Sequence, residues 1–194
     1  MRPVQQANPK DKLHERMRPT LRVRGAVKMD PAQSMAVGGE AGKKTALLLL
    51  GCPEVPVQMG IALYLASRLE KDGVSAVVAG NPSVIQLIRV SDPDQHYVKR
   101  VMNLEKAMAD LIEGRMRPDL TVSFAHNDAG ISYAATVRHV SASPLYLIIF
   151  GREAEALAGL AEFECEKIVE RSVHNPAQLK KKIDKVFGWA ASKS

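Results

Sequence analysis

The chain predicts an α/β fold: three α/β/α layers on a five-stranded, mainly parallel sheet, Rossmann- or flavodoxin-like. Three observations carry this. Short apolar runs alternate with helix-period segments from Thr45 onward. Two of the runs, Thr45–Leu50 and Leu145–Phe150, have no polar face, as strands buried on both sides require. Turn and cap signals such as Asp72-Gly73, Asn81-Pro82 and Asn175-Pro176 separate the segments. Strands that alternate with helices pair in parallel through right-handed crossovers.

The elements follow in order. The first strand is Thr45–Leu50. A helix over about Pro56–Lys71 places Val57, Ile61, Leu65 and Leu69 on one face, and Asp72-Gly73 stops it. The second strand is Val74–Ala79. Asn81-Pro82-Ser83 opens a short helix with Val84, Leu87 and Ile88, which Asp92-Pro93-Asp94 breaks. A further helix carries Leu104, Met108, Leu111 and Ile112 on one stripe and ends at Gly114. The third strand is Leu120–Ala125, followed by a helix over Ala129–Val140. The fourth strand, Leu145–Phe150, leads through Gly151-Arg152 to a helix over Glu153–Glu162. The fifth, about Lys167–Val173, carries Glu170 and Arg171 and reads as an edge. Asn175-Pro176 opens the last helix, with Leu179, Ile183, Val186 and Phe187 inward, and Phe187 and Trp189 pinning it to the sheet.

The link between the second and third strands is by far the longest. It can carry the chain back over the first strand, which predicts order 2-1-3-4-5, with 3-2-1-4-5 as the alternative. In an open parallel sheet ligands bind outside the carboxyl ends of the strands, where the order reverses. That switch point falls between the first and third strands. It gathers Gly51-Cys52-Pro53-Glu54 and His126-Asn127-Asp128, with Gly80-Asn81, Gly151-Arg152 and His174-Asn175 in a second ring.

Each residue has two readings. Asn81, Asn127 and Asn175 suit helix capping as well as ligand contact. Cys52 sits beside a helix start, where a thiol turns nucleophilic or metal-binding, with His126 or His174 as base or co-ligand. Free cysteine is also an ordinary buried filler. Glu54 serves a ligand or simply the positive helix end. No GxGxxG follows the first strand, and GxxxxGK[ST], GxSxG and DxHxxG are absent, so dinucleotide, P-loop and lipase-type chemistry lose support. No metal ligand set and no particular cofactor emerge.

The net charge of +6 is misleading. Residues 1–28 hold eight Lys/Arg and two Asp/Glu, and so carry the whole excess. Residues 1–44 read as a disordered basic extension punctuated by proline, and 45–191 as a single domain. No aromatic residue interleaves the charges of the arm, which argues against nucleic acid as a partner. The longest aliphatic run, Ala46–Leu50, is too short to span a membrane, and no signal-peptide plan opens the chain. Two cysteines, Cys52 and Cys165, fit a reducing compartment, so the expected location is cytoplasmic.

The segments "LLLGCPEVPVQ", "GNPSVIQLIRVSDPD", "NLEKAMADLIEG", "NDAGISYAATV" and "HNPAQLKKKI" resemble, in that order, the family of small methanogen proteins filed as domain of unknown function eighteen-ninety. The similarity covers about Thr45 to Phe187 and leaves out the basic arm and His126. It implies a three-layer α/β fold in a methanogen's cytoplasm, and no particular reaction. The matched candidates are Gly51, Cys52, Pro53, Glu54, Gln58, Asn81, Pro82, Asn127, Asp128, Asn175 and Pro176. The function expected from all this is binding of a small molecule or cofactor at the carboxyl ends of the strands. The alternatives are a non-catalytic accessory subunit of a methanogenesis complex, or an enzyme using Cys52 as nucleophile or metal ligand; the partner expectations beyond an unidentified small molecule are a homo-oligomer or a larger methanogenic assembly.

Overall fold

Six parallel strands form one sheet in the computed structural model, which describes residues 43–189. The strands are β1 (Lys44–Leu50), β2 (Val74–Gly80), β3 (Arg100–Asn103), β4 (Leu120–Ala125), β5 (Leu145–Phe150) and β6 (Glu166–Glu170). The helices are α1 (Val57–Lys71), α2 (Pro82–Ser91), α3 (Leu104–Ile112), α4 (Asp128–Val140), α5 (Ala154–Leu160) and α6 (Ala177–Val186). The sheet order is β3-β2-β1-β4-β5-β6. The five strands expected from the sequence stand in the expected order 2-1-3-4-5, and β6 is the expected edge.

The sixth strand is a correction. β3 lies inside the long link and pairs Arg100–Asn103 with Val77–Gly80 of β2. Four residues that start on an arginine and end on a helix cap carry no alternation of their own. They become a strand only because β2 offers them an unpaired edge. The full order, 3-2-1-4-5-6, is doubly wound, and the order still reverses between β1 and β4.

Side-chain alternation divides the core in two. Ala46, Leu48 and Leu50 of β1 point to one layer with α1, α2 and α6; Leu47 and Leu49 point to the other with α3, α4 and α5. Leu47, Leu48, Leu49 and Leu50 are all buried, at roughly 1.5–3 kcal/mol of burial free energy each. Two residues placed inward from the sequence lie outside. Leu87 is 39% exposed and Ile112 is 59% exposed. Val84 and Ile88, one helical turn apart, make the whole inner face of α2. Leu104, Ala107, Met108 and Leu111 complete that of α3, and Ile112 is its last residue. The lysine run of α6 is partly engaged: Lys180 pairs with Asp184 and Lys182 with Glu170. Trp189 stacks on Phe187, itself stacked on Tyr146 of β5, and its indole N–H donates to Asp72 at 2.6 Å. That latches α6 to the end of α1.

The expected basic extension lies, up to residue 42, outside the described residues, as do 190 and 191 at the expected domain end. Among the described residues no helix is long and apolar enough to cross a membrane.

Candidate functional site

Parallel strands deliver all their following loops to one rim. β1 and β4 are neighbours there, with Leu50 in register with Phe124. α1 then leaves toward one layer and α4 toward the other, the arrangement that in open parallel sheets opens a crevice between two such turns. Glu54 Oε2 lies 3.5 Å from His126 Nε2. The imidazole is 4% exposed and the carboxylate 66%, so a buried ring meets an open acid. His126 also packs against the Phe150 ring at 5.6 Å, and Asn127 Nδ2 is 3.4 Å from its Nε2. Gly151, after β5, holds φ +107°, a conformation that excludes larger side chains, and its turn borders the His126 Cβ.

Gln58, on the first turn of α1, is fully buried. Its Nε2 donates to the Gly51 carbonyl at 3.2 Å, and this ties the helix to the β1 turn. Its Oε1 has no hydrogen-bond partner among the described residues. A buried amide oxygen without a donor costs about 1–3 kcal/mol, so this acceptor is a marked feature beneath the β1–α1 turn.

The three asparagines all cap helices. Asn81 Oδ1 accepts from Val84 N–H at 2.9 Å, Asn127 Oδ1 from Gly130 N–H at 3.1 Å, and Asn175 Oδ1 from Ala177 N–H at 2.9 Å. Their oxygens are therefore committed to the fold. Asp128 accepts from Ala129 N–H and is exposed. Cys52 is exposed and makes no hydrogen bond among the described residues. Pro53 is half-buried beside it. Among the described residues no group of three or more His, Cys, Asp and Glu is arranged to hold a metal.

His174 and Asn175 come from β6, at the far edge, yet their loop returns toward the crevice. The Ser172 carbonyl accepts from Gly151 N–H at 3.0 Å, and the Val173 carbonyl accepts from Val57 N–H at 3.1 Å. The next N–H of α1, that of Gln58, goes to Val55 O at 3.1 Å. Two leading donors of α1 are thus occupied by protein carbonyls and do not cradle a phosphate. This return loop escaped the sequence, because Val173 carries no signal that its carbonyl reaches a helix more than a hundred residues earlier. Gly130 escaped as well. A Cβ there would fall 2.7 Å from Ala125 Cα, so α4 touches β4 directly beside the crevice.

Among the described residues, two clefts lie toward the amino ends of the strands, away from this rim. One, of about 350 Å³, lies between α3 and the amino-terminal half of β1–β3; the other, of about 480 Å³, sits at the amino ends of β5 and β6.

Comparison with known proteins agrees with this architecture. Uncharacterized protein MJ0452 of Methanocaldococcus jannaschii is 31% identical over 147 residues, 73% of this chain and 95% of that protein. The solved structure of MT0777 is 33% identical, with a TM-score of 0.70 over 76% of this chain and 99% of that one. The family described as Domain of unknown function (DUF1890) matches residues 47–186, from β1 to the end of α6. This chain belongs to that family.

Proposed function

We propose that the protein binds a small molecule or cofactor in the crevice between the β1–α1 and β4–α4 turns, in the cytoplasm of a methanogen. The observation that carries this reading is the unpartnered Oε1 of buried Gln58 at the point where strand order reverses. Natural interiors leave few buried polar atoms unpaired, and each that persists calls for a physical reason, a functional role among them. The open carboxylate of Glu54 against buried His126 adds a second polar group facing the same turn. A ligand with an N–H or O–H donor suits this set; because Gln58 is fully buried, its Oε1 meets such a donor only where the β1–α1 turn opens to admit it.

The test is a thermal-shift screen of the purified chain against methanogen cofactors. A hundredfold excess over Kd stabilises by about 2.7 kcal/mol, a Tm rise of roughly 5–10 °C for a domain of this size. Gln58→Met keeps the side-chain volume and removes the orphan oxygen together with the Nε2 bond to the Gly51 carbonyl, two effects of opposite sign. It is expected to leave stability within about 1 kcal/mol of wild type, while the ligand-induced Tm rise shrinks by at least half. A Gln58→Met protein that keeps the full rise removes Gln58 from the site.

A second reading, self-association, draws on α2. Leu87 and Val90, 39% and 77% exposed, form an apolar strip beside Pro82. Sedimentation over a wide concentration range checks it. Self-association that Val90→Asp abolishes supports it, and a monomer throughout ends it.

A further inference from the structure

The cleft of about 350 Å³ beside α3 is built unlike the rim and lies at the other end of the sheet. It exists because α3 has nine residues and β3 four, too short to cover the amino-terminal half of β1 and β2. Its floor is aliphatic: Leu47 and Val77 from the sheet, Met102 from β3 and Met116 from the loop after α3. Its edges carry four basic side chains, Arg100, Lys106, Arg115 and Arg117, against one carboxylate, Asp110.

The charges fall into two groups. Asp110 is buried, and accepts from Lys106 Nζ at 3.2 Å and from Arg115 Nε at 2.8 Å. Arg115 also pairs with Glu113. These two acids and two bases neutralise one another and prop the loop against α3. Gly114 (φ +70°) ends the helix, and Met116 N–H donates back to the Asp110 carbonyl at 2.9 Å. Arg100 and Arg117 remain. Both are exposed, and neither pairs with a carboxylate among the described residues. Two uncompensated guanidinium groups lining a cleft with aliphatic side chains favour a ligand with the opposite charge at one end.

We infer that this cleft is a second ligand site, for an organic anion with an aliphatic body whose carboxylate or phosphate is held by Arg100 and Arg117. Its volume lies at the small end of the range for small-molecule pockets, about 300–1,000 Å³. No aromatic side chain lines it, which disfavours a nucleobase and the stacking that single-stranded nucleic acid needs. The inference is independent of the rim: no residue is shared between the two.

The experiment uses the full chain with ¹³C-methyl methionine, and octyl phosphate below its micelle threshold as probe. Met102 and Met116 report the cleft, and Met59, beside Gln58 on α1, reports the rim. Octyl phosphate is expected to shift the Met102 and Met116 signals saturably and leave Met59 in place. Octylammonium and inorganic phosphate are expected to bind at least about tenfold more weakly, since each lacks one half of the recognition. Arg100→Gln with Arg117→Gln is expected to weaken octyl phosphate by about tenfold or more at unchanged Tm. Arg117→Gln alone serves should the double variant fold poorly. Equal response to octylammonium, no response to octyl phosphate, undiminished binding by the variant, or a shift at Met59 in place of the cleft methyls each overturn the inference.

Discussion

Gly130→Val is expected to destabilise the protein by about 3 kcal/mol, while Gly60→Ala stabilises it by about 0.5–1 kcal/mol. Both glycines are helical, and by intrinsic propensity alone both replacements should help. The difference is what stands opposite. At Gly60, on the exposed side of α1, an added Cβ meets nothing within 4 Å. At Gly130 it would lie 2.7 Å from Ala125 Cα and 2.9 Å from the Phe124 carbonyl, both backbone atoms of β4. Backbone in the middle of a sheet cannot step aside, so α4 must lift. Lifting it unseats Ile131, Ala134 and Val137 from the core and pulls Gly130 N–H off its Asn127 cap. Urea denaturation midpoints at constant slope measure both changes. The midpoint should fall for Gly130→Val and rise for Gly60→Ala; a rise for both would mean that α4 has room the packing denies. Because Asn127 and His126 sit on the same turn, ligand stabilisation at the rim is expected to vanish along with the stability.

Asp92→Ala is expected to cost about 2–3 kcal/mol at neutral pH. Asp92 ends α2 and is buried. Its carboxylate collects three backbone donors from the turn that follows: His96 N–H at 2.7 Å on one oxygen, Tyr97 N–H at 2.9 Å and Val98 N–H at 2.8 Å on the other. Around it the chain passes through Gln95, whose φ of +51° is in the left-handed region. No alternative acceptor on that turn is positioned for three donors at once. Burial pushes the Asp92 carboxyl up, and the three N–H groups more than reverse it, leaving it below the ordinary aspartate range. The pH dependence follows in sign. A carboxylate with a folded pKa below its unfolded value of about 3.9 contributes stability that is complete above that value. It is lost as pH falls through the folded pKa. Asp110, held low by Arg115 and then Lys106, acts in the same direction. Wild type should therefore lose stability steeply in acid below about pH 4, and Asp92→Ala should show a visibly shallower fall. Parallel pH profiles for the two proteins would remove Asp92 from the acid transition.

Much of this was legible along the chain. The buried runs of β1 and β5, the inward stripe of α1 and the Asn-Pro openings of α2 and α6 depend on neighbours a few residues away. Periodicity and cap chemistry record such short-range demands directly. Even the order of five strands followed, because the length of one link and the handedness of crossovers leave few alternatives. β3 was not legible, since Arg100–Asn103 holds its extended form by borrowing the free edge of β2. Leu87 and Ile112 misled for a related reason: an apolar side chain beside an apolar stripe looks inward until its helix is turned and docked.

The candidate site divides the same way. Asn81, Asn127 and Asn175 could be named as caps or contacts from their positions, and the structure gives their oxygens to caps. Contacts between distant segments had no local trace. Glu54 meets His126, Val173 covers the start of α1, and Gly130 presses on Ala125. So the sequence by itself determined which segments are strands and helices and which end of the sheet collects the polar turns. Only the tertiary structure decided which of those turns touch, that Gln58 keeps an unpaired oxygen among them, and that two arginines stand over an open aliphatic cleft at the other end. The reason is physical: secondary structure answers to hydrogen bonds and side-chain periods within a few residues, whereas a site is a meeting of loops whose distance is set by the register of strands far apart in the chain.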